Sequence, residues 1–166
     1  MTDCCTINEI IVENSESKLC PSCNIKGKEV KIITLKSRLK PTVLDLLNPD
    51  LTHYFCSTED CDVVYFDTDK KTYSTSEIKV PVYQKDNSSI VPVCYCFDWT
   101  REKIAKYVEE GIGSKPLEHI RQQVKENRCG CEVNNPQGGC FMGNVTKFVK
   151  NRHRIQKTPP TNGVFS

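Results

Sequence analysis

The residues here whose type and spacing could do chemistry are the eleven cysteines. They form close groups: Cys20-Pro21-Ser22-Cys23, Cys56 with Cys61, Cys94-Tyr95-Cys96, and Cys129-Gly130-Cys131 with Cys140. Cys4-Cys5 stands apart near the start. A C-x2-C or C-x-C turn aims two sulfurs the same way, and two such pairs brought together present four thiolates to one point. Four thiolates hold either a tetrahedral zinc or an iron–sulfur cluster. Disulfides fit less well, because the count is odd and the close pairs read as ligand knuckles. The amino terminus also lacks the apolar stretch of a secretory signal. Reduced thiols in a cytoplasmic protein are therefore expected.

Composition narrows the function classes. A net charge of +2 gives no global electrostatic case for nucleic acid. No run approaches the roughly eighteen apolar residues of a membrane helix, so no membrane insertion is expected. With 37% hydrophobic residues and a mean hydropathy of −0.48, the chain is short of material for one large core, a shortage that bound metal offsets. Lys147, Lys150, Arg152, Arg154 and Lys157 read as a solvated helix face running into a tail. His119 and His153 lie on polar stretches and read as surface side chains. No catalytic triad or phosphate loop is evident. An ordinary enzyme is therefore not expected, with metal reductase activity as the enzymatic option.

The elements that must position the thiols follow from periodicity. Residues 1–17 are polar and acidic and read as a loose arm, in which Cys4 and Cys5 are bystanders. Residues 18–85 read as a β-rich zinc module. Glu29–Leu35 alternates loosely as a strand, Thr42–Leu47 gives one or two helical turns after Pro41, and Val63–Phe66 is a strand. That strand returns through Thr72-Tyr73 and then Ile78, Val80 and Val82. The spacing C-x2-C-x32-C-x4-C, with each pair beside a short β-segment, is that of a zinc ribbon-like or treble-clef-like site with Cys20, Cys23, Cys56 and Cys61 as ligands. His53 lies nearby, but four cysteines already complete the shell.

The polar stretch Asp86–Ser89 reads as a linker into a domain over 90–154. After Cys96 the period becomes helical. Ile104, Tyr107, Val108 and Ile112 share one stripe, capped by Thr100 and stopped at Gly111. A second helix starts near Pro116 with Leu117, Ile120 and Val124 inward, and a third carries Phe141, Val145, Phe148 and Val149. Cys94, Cys96, Cys129, Cys131 and Cys140 fall at the joints, so all five converge at one pole. Helix amino-terminal N–H groups there can donate to anionic sulfur. Gly130, Gly138, Gly139 and Gly143 would let backbone approach a cluster. Residues 155–166 read as tail. The fold class is α+β: a small zinc ribbon-like β module followed by a short-helix cluster domain.

These motifs have a familiar form. V-C-Y-C-F, a helix pair, then C-E-V-N-N-P-Q-G-G-C-F-M-G resembles the [2Fe–2S] domain of CopZ-type copper chaperones. That domain is itself similar to the cluster domain of bacterioferritin-associated ferredoxin. The upstream C-P-S-C and Y-F-C-S-T-E-D-C-D-V-V-Y-F resemble the zinc-binding part of the same CopZ amino-terminal region, and the resemblance spans roughly residues 18–150. It implies one structural Zn2+ and one redox-active [2Fe–2S] cluster held by Cys94, Cys96, Cys131 and Cys140, with Cys129 as an alternative third ligand. The family often has a double cysteine where this chain has Cys140-Phe141. A full chaperone of this type continues into a ferredoxin-like copper-binding domain with its own C-x-x-C, which these 166 residues lack. The implied role is electron transfer that reduces Cu(II) to Cu(I) for a copper-binding chaperone domain or a copper exporter, with a separate electron donor. Alternatives are Cu+ binding by the remaining thiols Cys4, Cys5 and Cys129, a cluster scaffold, and a two-zinc interaction module.

Overall fold

The computed structural model describes residues 18–157. The arm expected over 1–17 lies outside them, as does the tail from 158 onward. In chain order the elements are β1 (Lys28–Val30), α1 (Ile32–Arg38), α2 (Pro41–Leu44), β2 (His53–Phe55), β3 (Val63–Asp67) and β4 (Thr72–Ser74). A 3-10 turn over Thr75–Glu77 follows, then β5 (Pro92–Cys94), β6 (Trp99–Thr100), α3 (Arg101–Glu109), α4 (Ser114–Lys125), α5 (Cys131–Asn134) and α6 (Met142–Lys157). The chain forms two compact units. One is residues 18–87 with Cys131–Gly139, and the other is Ser88–Gly130 with residues 140–157.

The first unit is a four-stranded antiparallel sheet in the order β1-β2-β3-β4. Tyr54 pairs with Glu29 on one side and Phe66 on the other. Successive strand residues point to opposite faces, so β2 serves two cores. Phe55 packs with Val30, Leu35, Leu39, Tyr65 and Tyr73. Tyr54 packs with Phe66, Val63, Cys20, Cys56 and Cys61. The thiols therefore sit on a sheet face already floored by aromatic rings, with Tyr54 and Phe66 stacked at 5.4 Å.

Two local expectations differ from what forms. Glu29–Leu35 is not one strand: β1 ends at Val30 and α1 begins at Ile32. Leu35 and Leu39, four apart, are both fully buried, whereas Ile33 is 40% exposed. Strand alternation would put Ile33 and Leu35 on the same face, so the helical period wins because it buries the two leucines together. Nor do Ile78, Val80 and Val82 return as a strand beside β4. Ile78 bridges Leu39, and Lys79 N–H donates to Arg38 O at 2.8 Å. Pro81, with no N–H, cannot extend a ladder.

A third difference concerns the domain over 90–154. Residues Cys131–Gly139 pack on the first unit, where α5 lies against α1. Thr34 Oγ1 donates to Glu132 O at 2.7 Å, and Tyr65 Oη donates to Pro136 O at 2.5 Å. Gly138 has φ +73°, and a Cβ there would stand 3.0 Å from Val30 Cγ1 and 3.1 Å from Thr34 Oγ1. Its freedom from a side chain thus serves docking onto β1 and α1, where the sequence reading gave it to a cluster.

In the second unit β5 and β6 form a two-stranded antiparallel ribbon. Thr100 caps α3, its Oγ1 accepting from Lys103 N–H at 3.3 Å. Gly111 adopts φ +80° and closes the helix, so α3 ends before Ile112, which is left 36% exposed instead of on the inward stripe. α3, α4 and α6 pack on one another, burying Ile104, Val108, Ile120, Val145 and Val149. Val124, expected inward, lies one turn past Ile120 and is exposed. α6 continues through residues 155–157, so these are helical and not tail.

Candidate metal centre

The first knuckle is set by a tight turn. Leu19 bridges Lys26, Cys20 N–H donates to Ile25 O at 2.9 Å, and Asn24 turns the chain with φ 60°. Asparagine tolerates that left-handed conformation better than most residues. The second knuckle leaves the end of β2, with Cys56 N–H donating to Val64 O at 2.8 Å and Cys61 N–H to Thr58 O at 3.3 Å. The four sulfurs of Cys20, Cys23, Cys56 and Cys61 all lie within 4.8 Å of one another. Cys20 and Cys61 sulfurs are 3.9 Å apart, and those of Cys23 and Cys56 are 3.6 Å apart. A zinc tetrahedron with sulfurs at about 2.3 Å has edges of ~3.8 Å. The donor set and its spacing therefore fit zinc, with no position left open for a reactant.

Electrostatics differ around the ring of thiols. Burial pushes Cys20 up to about 12. Burial raises Cys56 as well, partly offset by the Thr58 backbone and, less, by the Lys85 ammonium. At Cys23 burial is outweighed by hydrogen bonds from the Thr58 hydroxyl, the Ile25 backbone and Cys56, which hold it at about 6. Burial thus disfavours the thiolate form at Cys20 and Cys56, so metal capture by those sulfurs must release protons. Lys85 Nζ reaches Cys56 Sγ at 3.8 Å, Thr58 O at 2.6 Å and Cys61 O at 2.7 Å. His53 takes no place in the sulfur set. It is buried in β2, and burial holds its imidazole below the ordinary range against the opposing pull of Asp67.

Four further cysteines lie in the second unit, although among the described residues only Cys20, Cys23, Cys56 and Cys61 bring three or more ligand atoms within 4.8 Å of one another. Cys94 is buried at the end of β5, Cys96 is half-buried in the turn that follows, and Cys129 and Cys140 are exposed. Burial pushes Cys94 up to about 11, with the nearby charges of Cys96 and Cys140 acting the same way. Gly130 N–H donates to Cys96 Sγ at 3.3 Å, and Met142 N–H, at the start of α6, donates to Cys140 Sγ at 3.5 Å. Cys131 opens α5 in the first unit. Cys4 and Cys5 lie outside the described residues. No disulfide joins the nine described cysteines.

Residues 17–79 match the family model of a zinc binding domain, zf_CopZ. That segment contains all four clustered sulfurs. The chain contains a CopZ-type zinc-binding domain. The copper chaperone CopZ of Archaeoglobus fulgidus is 33% identical over 121 residues, 73% of this chain. The match spans 56% of that chaperone's length, little more than half of it. The X-ray structure of the Archaeoglobus fulgidus CopZ N-terminal domain is similar with a TM-score of 0.66 and 29% identity, covering 78% of this chain and 95% of that one. The likeness to CopZ thus runs beyond the zinc-binding domain. Among the described residues no helix is long and apolar enough to cross a membrane.

Two contributors to the CopZ-type site escaped the sequence reading. Thr58, 3.3 Å from Cys23 Sγ, had a visible signal as a hydroxyl inside the C-x4-C loop. Lys85 had none, since nothing in Val82-Tyr83-Gln84-Lys85 marks it.

Proposed function

We propose that the protein is a zinc- and [2Fe–2S]-containing component of copper handling. In this reading Cys20, Cys23, Cys56 and Cys61 hold a structural zinc. Cys94, Cys96, Cys131 and Cys140 hold the cluster, with Cys129 as the alternative third ligand. Those thiols would hold a cluster whose one-electron couple would serve to reduce Cu(II) to Cu(I), with a separate electron donor restoring it. Thiolate carriers prefer Cu(I), so reduction must precede capture by a copper-binding chaperone domain or an exporter. The likeness to a copper chaperone supports copper as the metal handled.

The observation that carries the cluster reading is the pair of backbone donors to thiol sulfur. Gly130 N–H aims at Cys96 and Met142 N–H at Cys140. Such donors stabilise negative sulfur and raise the potential of a cluster bound through it. Cys94 is buried while Cys140 is exposed.

The test is metal and sulfide content of anaerobically purified protein, with EPR before and after dithionite. About two irons, about two sulfides and about one zinc per chain are expected, with a signal appearing on reduction. The reduced protein should then convert Cu(II) to chelator-trapped Cu(I). About two zincs and no sulfide in oxygen-protected protein would sink the redox reading and leave an interaction module. Comparing Cys129→Ser with Cys131→Ser separates the two candidates for third ligand.

A further inference from the structure

Val82 accepts backbone bonds from both Lys85 and Asp86 at 2.9 Å, which curls residues 82–86 into a turn. The turn presents Lys85 to the second knuckle of the sulfur site. A lysine ammonium has three N–H donors and no acceptor. Three acceptors meet it here: Thr58 O, Cys61 O and Cys56 Sγ. The two carbonyls belong to the loop that must hold Cys56 and Cys61 at one edge of a tetrahedron. Asn87 Nδ2 adds a bond to Glu59 Oε1 in the same loop at 3.0 Å. The domain match ends at residue 79, before this turn begins.

We propose that Lys85 is a positioning residue of the tetrathiolate site, one that locks the Cys56–Cys61 loop and offsets the charge of the bound metal–thiolate group. Zinc with four thiolates carries roughly two net negative charges. A cation donating directly to one of those sulfurs lowers its nucleophilicity, so the zinc is retained and the sulfur is slow to meet electrophiles. The two bonds to carbonyls preserve ligand spacing, and the contact to Cys56 supplies the charge effect. The proposal rests on zinc being held by these four cysteines.

The experiment uses the full chain with Lys85→Arg, Lys85→Gln and Lys85→Met, all loaded with zinc. Zinc affinity is read by competition with a chromophoric chelator, and thiolate reactivity by the rate of alkylation with N-ethylmaleimide. Lys85→Met should weaken zinc binding roughly 10- to 100-fold, the usual cost of losing a supporting partner of a metal ligand, and should speed alkylation of Cys56. Lys85→Gln keeps donors without charge, so it should hold zinc better than Lys85→Met yet still alkylate faster than wild type. Lys85→Arg should stay close to wild type in both. Wild-type affinity and alkylation rate in Lys85→Met would overturn the proposal while leaving the zinc site standing. Wild-type behaviour in Lys85→Gln would overturn the charge role. A wild-type chain that binds no zinc would overturn both the site reading and the proposal.

Discussion

Replacing Tyr65 by phenylalanine should loosen the Cys131–Gly139 strap without disturbing the sheet beneath it. Tyr65 is fully buried, and its ring packs in the same cluster as Phe55 and Tyr73. Phenylalanine keeps that packing and removes only the Oη–H that donates to Pro136 O. Pro136 is itself buried, so its carbonyl loses a partner with no ready access to water. An unsatisfied buried acceptor costs about 1–3 kcal/mol, or roughly 5- to 150-fold in the equilibrium for local opening. Thr34→Val removes a similar bond, but its acceptor is the carbonyl of exposed Glu132, so about 0.5–1.5 kcal/mol is expected. Lys31→Ala breaks an ion pair whose side chains are 70% and 52% exposed, and the expected cost is near zero. Native-state hydrogen exchange reads the strap directly, because Asn135 and Gly138 N–H groups donate to Cys131 O and Asn135 O within it. Protection of those amides should fall in the order Tyr65→Phe, Thr34→Val, Lys31→Ala, largest loss first. A loss under about threefold in Tyr65→Phe, or the largest loss in Lys31→Ala, would refute the claim that buried hydrogen bonds hold the strap.

Three further outcomes are expected. Gly138→Ala must place a Cβ at φ +73° and 3.0 Å from Val30, which should lower stability by about 1–3 kcal/mol in urea unfolding; an unchanged midpoint would contradict the close approach. Thr100→Ala removes the acceptor for Lys103 N–H and should cost about 1 kcal/mol, visible as faster exchange in the first turn of α3 and unchanged exchange in the strap. Burial depresses the His53 pKa, so the unfolded chain binds more protons below its ordinary value, and the stability contributed is complete above about pH 6.5 and lost as pH falls below it. The urea midpoint should therefore fall between about pH 7.5 and about pH 5.5 more steeply in wild type than in His53→Gln; equal slopes would show that His53 is not the group responsible.

Legibility from sequence followed the range of the interactions. The C-x2-C knuckle and the C-x4-C loop were readable because each is closed by bonds within a few residues, as from Cys20 N–H to Ile25 O. The α3 cap and stop were readable for the same reason, since Thr100 and Gly111 act on their own turn. Ile32-Ile33-Thr34-Leu35 satisfies a strand period and a helix period alike, and only burial of Leu35 beside Leu39 decides between them. The strap was misassigned because its partners Thr34 and Tyr65 are 98 and 71 residues away. Lys85 was invisible because a lysine in a polar turn looks the same whether it faces water or a sulfur.

The strap also imposes an order on synthesis. Both zinc knuckles and all four strands of the first unit are complete by residue 74, yet the segment that caps Tyr65 and Val30 is made only after α3 and α4. A growing chain can therefore gather the four sulfurs and take up metal while that side of the sheet still faces water. Closing so long a loop adds little to the entropic cost, because that cost rises only with the logarithm of length. It does delay the contact, since pairings distant in sequence form late. Metal capture first and strap docking last is the assembly route that this chain order favours. A protein fragment ended at residue 87 would carry the metal site but leave Tyr65 Oη without the Pro136 carbonyl.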